Sequence, residues 1–287
     1  MIKSTFIGFG AVLLWALLAL LTVQTMPVPP LMLTAICFAI GGSLGLIWIA
    51  ARGELDQLRG VKLRVYAFGT AGLFGYHFLY FSALRMAPPA QAGLIAYLWP
   101  LLIVLLSGFL PGETLKAGHL AGAAAGFAGA GLIISGGGGG FDAAYLPGYG
   151  LALLCAFVWA IYSVVSRQMG AVPTASVAVF CLASAALSGL AHLALEQTVW
   201  PTGSAGWLAI IALGAGPVGL AFFLWDIGVK KGDIQLLGTL SYAAPLLSTV
   251  VLVMAGVAPA SWSLVGAALL IASGAALAAR ASMAPQG

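Results

Sequence analysis

The sequence predicts an all-α membrane protein of ten transmembrane helices, built as two five-helix repeats of opposite orientation with both termini in the cytoplasm. Three observations carry this. The 287 residues are 62% hydrophobic and only 6% charged, with mean hydropathy +1.10. The apolar residues fall into runs of crossing length. Ten of the eleven lysines and arginines then lie on one side of a single topology.

The runs are residues 5–21, 30–50, 65–84, 89–109, 117–135, 147–166, 174–195, 205–225, 235–257 and 261–279. Each is about the 17–25 residues that a helix needs to cross a ~30 Å hydrocarbon core. Inside that core every backbone N–H and C=O must be satisfied within its own segment, so the runs are helices. The first is longer than the apolar part of a signal peptide and has no small-residue cleavage site behind it, so it is expected to be retained. The second contains the glycine-rich Gly41–Gly45 stretch, the third His77 and Tyr80, and the fourth Tyr97-Leu98-Trp99-Pro100. In the fifth, Gly118, Gly122 and Gly126 recur every four residues, a pattern for close helix packing. Trp159 and Tyr162 lie in the sixth, Cys181 in the seventh, Gly214 in the eighth, Tyr242 and Pro245 in the ninth and Gly274 in the tenth.

With the N-terminus inside, the cytoplasm receives Lys3, Arg52, Arg59, Lys62, Arg64, Lys116, Arg167, Lys230, Lys231 and Arg280, and the outside only Arg85. One missed helix would invert everything after it, so the positive-inside rule supports both the count and the orientation. The net charge of +4 is spread over short loops and forms no phosphate-tracking patch, so no nucleic-acid partner is expected. The partner is the lipid bilayer. Cys37, Cys155 and Cys181 are scattered through helices and read as small hydrophobes, with no disulfide framework, metal site or cofactor.

An offset of about 145 residues brings features of the two halves into register. Trp15 falls near Trp159, Gly69 on Gly214, Tyr97-x-x-Pro100 on Tyr242-x-x-Pro245, Gly129 on Gly274 and Arg85 on Lys230. Residues 1–140 and 141–287 are thus two repeats, with the Gly136–Gly140 run as a flexible connector. Five is odd, so the second repeat enters from the opposite side. Secondary transporters are built this way, with the substrate near mid-membrane between the repeats.

On these features, and on Gly75-Tyr76-His77-Phe78-Leu79-Tyr80 and Ala96-Tyr97-Leu98-Trp99-Pro100, the chain resembles the EamA-type drug/metabolite transporters. Within them it is most similar to the bacterial aromatic amino acid exporters. The resemblance covers essentially the whole chain. It implies a multi-pass inner-membrane exporter of aromatic and some other amino acids, working by alternating access and expected to function as a monomer. It also implies a central cavity lined mainly by helices one, three, four, six, eight and nine. A multidrug or other metabolite exporter of the same fold is the alternative.

The polar and aromatic residues inside the helices supply the candidate substrate site, since polar groups within a membrane are functional candidates. His77 lies near mid-depth with Tyr80 one turn on. It either lines a cavity or is bonded to a neighbouring hydroxyl or carbonyl. Pro100 and Pro245 lack an N–H, kink their helices, and are expected to free the carbonyls of Ala96 and Ser241. Tyr97, Trp99 and Tyr242 flank those kinks, and Trp15, Trp159 and Tyr162 add aromatic faces. His77, Tyr80, Tyr97, Trp99, Trp159, Tyr162, Trp15, Tyr242 and Ser241 are therefore the expected substrate contacts. Trp48, Trp200, Trp207 and Trp262 lie near helix ends and read as interfacial belt. Asp226 and Lys230 have the spacing of a helical ion pair, either interfacial or acting as a cytoplasmic gate. Gln91 and Gln235 lie at helix ends, where capping, gating and substrate contact are all open.

No lysine or arginine lies mid-membrane, which argues against a phosphorylated ligand. No carboxylate lies at the midplane, which argues against an obligate polycation and against carboxylate-driven proton antiport. A zwitterion with a large aromatic side chain fits best. Catalysis is not expected: Gly41-Gly42-Ser43-Leu44-Gly45 matches G-x-S-x-G, but within a helix rather than a strand–turn–helix elbow. A channel would need rings of pore-lining charge that the chain lacks.

Overall fold

The structure is a computed structural model and describes residues 1–134, 142–256 and 262–283; the Gly136–Gly140 connector, Ser135, Val257 and Ser261 lie outside it. The described residues form helices and their connecting turns, with no strand among them. They are α1 (Ile2–Trp15), α2 (Leu18–Gln24), α3 (Pro30–Ala51), α4 (Asp56–Arg59), α5 (Leu63–Met86), α6 (Pro89–Ala96), α7 (Trp99–Ser107) and α8 (Ala117–Ile134). After the connector come α9 (Leu146–Gln168), α10 (Ser176–Leu195), α11 (Ser204–Ala215), α12 (Ala221–Lys231), α13 (Ile234–Leu240), α14 (Ala243–Met254) and α15 (Trp262–Met283).

Nine helical stretches among the described residues are long and apolar enough to cross a membrane. Four of them join two shorter helices end to end: Ile2–Gln24, Pro89–Ser107, Ser204–Lys231 and Ile234–Met254. The 24-residue α5 is not among the nine. It has the length, but Arg64, Tyr66, Tyr76, His77, Tyr80 and Arg85 make it more polar than its neighbours. The stretch expected to end at residue 225 runs on to Lys231. Its charged residues do not stop the helix, because Asp226 and Lys230 satisfy each other one turn apart.

The four joints all fall near mid-length. Two contain the expected prolines: α6 gives way to α7 at Tyr97–Leu98, just before Pro100, and α13 to α14 at Ser241–Tyr242, before Pro245. The carbonyl of Ser241 is not left free, however. It accepts the N–H of Ala244 at 3.1 Å in a tightened turn. The other two joints were not expected. One lies at Ala16–Leu17, and the other is a π-helical turn over Gly216–Leu220 with Pro217 as its second residue. Such turns form where the regular ladder is interrupted, and proline at 217 interrupts it.

Side-chain contacts define two faces. On the face bearing the N-terminus, the backbone N–H of Asp233 donates to Thr5 Oγ1 at 2.8 Å, and Lys116 Nζ donates to the Ala281 carbonyl at 3.0 Å. Arg167 donates there to the carbonyls of Val229, Lys230 and Gly232 at 3.2, 3.1 and 2.7 Å, and through Nε to Glu113 at 3.0 Å. On the opposite face the buried Glu196 carboxylate accepts the N–H groups of Leu31 and Met32, at the start of α3, and pairs with Arg85 and His192.

Glycines set the closest approaches. A Cβ at Gly8 would stand 2.8 Å from the Gly228 Cα, where α1 crosses α12. At Gly122 it would stand 2.5 Å from the Gly274 carbonyl, where α8 packs on α15. Gly41 lies against Gly219 and Gly45 against Phe223, so both glycines of the G-x-S-x-G match are packing positions.

Burial is uneven along the helices. α12 and α13 bury Phe222, Trp225, Val229, Ile234 and Leu237, and α7 buries Ile103 and Val104. On the other side of the joints burial varies: α14 buries only Ala244 and Pro245 and α2 buries nothing, whereas α11 buries Ala209, Ile210 and Leu213 and α6 buries Ala92, Gly93 and Ala96. Away from the N-terminal face, packing is thin around α2 and α14 and dense around α6, α9 and α11.

Candidate functional site: an uncharged aromatic cavity

The joints converge on a small cavity, part of it open to the exterior. Its walls are Trp15 and Leu18 from the first joint, Tyr76 and His77 from α5, and Tyr97 and Trp99 from the second. Trp159 of α9, Pro217, Val218 and Phe222 around the π turn, and Ala244 at the start of α14 complete it. Among the described residues no Asp, Glu, Lys or Arg lines it.

The tryptophans stand mostly edge to face. Trp15 meets Trp99 at 6.2 Å and Trp159 at 5.8 Å, with ring planes 86° and 74° apart. Trp99 meets Trp159 at 6.3 Å and 85°. This is the arrangement that aromatic quadrupoles prefer. Trp225 closes the floor: it contacts all three rings and is fixed by its Nε1–H donating to Ser163 Oγ at 3.1 Å. Trp15 is fixed likewise, with Nε1–H donating to the Pro217 carbonyl at 3.1 Å. That bond joins the first joint to the π turn across 202 residues of sequence.

Of the nine expected substrate contacts, the structure brings His77, Tyr97, Trp99, Trp159 and Trp15 to the cavity wall. Tyr80 and Tyr162 form a layer behind it. Tyr80 stacks on Tyr76 at 6.0 Å, and Tyr162 lies 5.2 Å from Trp159 while packing on Gly72. Tyr242 and Ser241 are placed elsewhere. The Ser241 hydroxyl donates to the Leu237 carbonyl of its own helix at 2.8 Å. Tyr242 is fully buried against Gly126, and its Oη accepts the Leu101 N–H at 3.0 Å. The Pro100 break leaves that N–H in need of an acceptor, which turns Tyr242 away from the cavity.

Asp226 and Lys230 form the expected pair at 2.8 Å, and both side chains are buried in the protein. Thr174 donates to Asp226 and Lys230 donates to the Val172 carbonyl, so the pair fastens α12 to the segment after α9. Gln91 and Gln235 occupy the first turns of α6 and α13 and do not line the cavity. Trp48, Trp200, Trp207 and Trp262 are exposed, as belt residues are. Tyr76, Phe222, Pro217 and Val218 were missed. Pro217 carried a usable signal, a proline in the middle of an apolar run; Phe222 carried none that set it apart from other apolar residues.

The EamA-like transporter family matches the chain twice, over residues 2–135 and 146–280. The chain belongs to that family and is a multi-pass membrane transporter, not an enzyme. It is similar to the aromatic amino acid exporter YddG of Ancylobacter novellus, with 56% identity over 278 residues covering 96% of each chain. It is also similar to the exporters of that name from Salmonella typhimurium and Escherichia coli, with 23% and 25% identity over 95% of each chain. A crystal structure of a protein 55% identical in sequence superposes with TM-score 0.94 over 99% of both chains.

Proposed function

We propose that this protein exports aromatic amino acids across the bacterial inner membrane by alternating access. The observation that carries the reading is a cavity walled by Trp15, Tyr76, Tyr97, Trp99, Trp159 and Phe222 with no formal charge in it. Aromatic faces stack on an aromatic side chain, and a neutral wall suits a ligand whose own charges cancel. The names of the three exporters favour the same substrate class.

Ten spans in a five-plus-five inverted repeat, divided as residues 1–140 and 141–287, complete the proposal, with both termini cytoplasmic. The two family matches and the single external basic residue, Arg85, support it. The N-terminal face is then cytoplasmic and tied together by Arg167, Lys116 and Thr5, and α2 and α14 are the thinly packed segments on the other side. A monomer suffices, because the cavity is built within one chain. Single cysteines in the 55–62 segment and near Arg280 should label only from the cytoplasm. One near Gly138 should label only from outside; any reversal among these sites breaks the inversion.

Counterflow in proteoliposomes over a panel of amino acids tests the substrate. Saturable exchange strongest for Phe, Tyr and Trp is expected, and Trp99→Ala or Tyr97→Ala should weaken it by about 0.5–1.5 kcal/mol beyond lost burial. Unchanged saturation curves in both variants would place the site elsewhere. Unsaturable conductance would make the protein a channel.

A further inference from the structure

His77 Nδ1 lies 2.8 Å from the Leu73 carbonyl oxygen, one turn back on α5. A carbonyl only accepts, so Nδ1 carries the hydrogen. In the neutral ring the other nitrogen, Nε2, is then a lone-pair acceptor. No group among the described residues bonds Nε2, and it is not one of the polar atoms sealed from the exterior. It is the free end of a ring that lines the cavity. The ring stands edge-on to Phe38 at 5.0 Å, to Tyr76 at 5.3 Å and to Phe222 at 6.1 Å, and the Tyr76 hydroxyl makes no hydrogen bond to it.

The indoles divide into two kinds. Trp15 and Trp225 donate to Pro217 and Ser163. Trp99 and Trp159 also line the cavity, yet their N–H groups have no protein acceptor among the described residues and are not sealed away. An indole nitrogen only donates. The cavity therefore presents one ring acceptor, two indole donors and the Tyr76 and Tyr97 hydroxyls, which can do either, a set that complements an ammonium beside a carboxylate.

We propose that His77 Nε2 is the specificity-determining acceptor for the α-ammonium of the substrate, with the Trp99 and Trp159 N–H groups directed to its carboxylate. This rests on the amino-acid reading of the cavity and sharpens it: the site selects a primary ammonium N–H, beyond an aromatic ring. A cation held only by aromatic faces would need charge and no N–H.

Competition against labelled phenylalanine in counterflow separates these. The ligands are phenylalanine, phenethylamine, 3-phenylpropanoate and the N,N,N-trimethyl derivative of phenylalanine. Phenethylamine is expected to compete, whereas 3-phenylpropanoate and the trimethyl derivative, which lack the N–H, should be weaker than phenylalanine by about tenfold or more. His77→Leu should erase the preference for phenylalanine over its trimethyl derivative, and His77→Gln, whose amide oxygen accepts, should recover part of it. Equal competition by phenylalanine and its trimethyl derivative in the unmodified protein overturns the assignment, as does a preference that survives His77→Leu. Should His77→Leu fail to fold, the ligand series on the unmodified protein decides alone. If phenylalanine itself neither exchanges nor competes, the amino-acid reading falls first, and this inference with it.

Discussion

Tyr242 Oη accepts the backbone N–H of Leu101 at 3.0 Å, so the kinked ninth span of the proposed topology caps the kink of the fourth. The two kinks share a Tyr-x-x-Pro pattern, yet Tyr97 lines the cavity while Tyr242 is buried. Tyr242→Phe keeps the ring against Gly126 and removes the acceptor. Leaving a buried N–H unsatisfied costs about 1–3 kcal/mol. The variant should melt lower than the parent in detergent while the apparent affinity for phenylalanine stays within error. A large loss of affinity with an unchanged melting temperature would return Tyr242 to the cavity.

That contrast marks what the sequence could and could not convey. Long apolar runs and the Tyr-x-x-Pro pairs are local or periodic signals, and they marked where the apolar helices lie and two of the four joints. Five cavity residues were legible because a tryptophan, tyrosine or histidine deep in an apolar run is rare. Tyr242 was misplaced because its role depends on an N–H 141 residues away, which no local pattern records. The burial of the Asp226–Lys230 pair was likewise hidden, since their spacing says that they meet but not what covers them.

Arg167 is the broadest link across the N-terminal face. It extends from the end of α9 to Glu113 of the first half and to three carbonyls at the end of α12. Opening that side by separating the halves requires the Glu113 contact to break. Arg167→Gln should therefore favour opening there. A cysteine at Val12, fully buried between the cavity and this face, reports it. Its labelling by a membrane-impermeant thiol reagent from the cytoplasmic side should rise severalfold in Arg167→Gln. No increase would mean that packing alone, not this link, holds the face shut.

Glu196 caps the start of α3 and holds the opposite face together. Burial alone would raise its pKa; contact with His192, the N–H groups of Leu31 and Met32, and the Arg85 guanidinium outweigh burial and leave it below the ordinary 4.5. A carboxyl whose pKa is depressed on folding contributes stability above its unfolded value, and loses it as pH falls through the lower, folded value. The melting temperature of the parent should exceed that of Glu196→Gln at neutral pH. The gap should hold down to about the unfolded carboxylate value and close below it. A gap that widens on acidification would show that the carboxylate is not the stabilising form.

The last prediction concerns the driving force. An exporter that trades protons for substrate needs a group that changes charge at the site where the two compete. Among the described residues no carboxylate lines this cavity, and the buried Asp226, in the middle of α12, is engaged by Lys230 and Thr174. His77 is the one cavity side chain whose reference pKa, near ~6.5, lies in the physiological range, and its surroundings contain aromatic rings rather than a counter-charge. An imidazolium there would be desolvated without compensation, so the ring works as a neutral hydrogen-bonding group. The expectation is facilitated export that follows the substrate's own gradient. In proteoliposomes an imposed pH gradient alone should not concentrate labelled phenylalanine, although exchange down a substrate gradient proceeds. Uphill accumulation driven by the pH gradient, abolished in His77→Gln while exchange persists, would make His77 the coupling site and reverse this assignment.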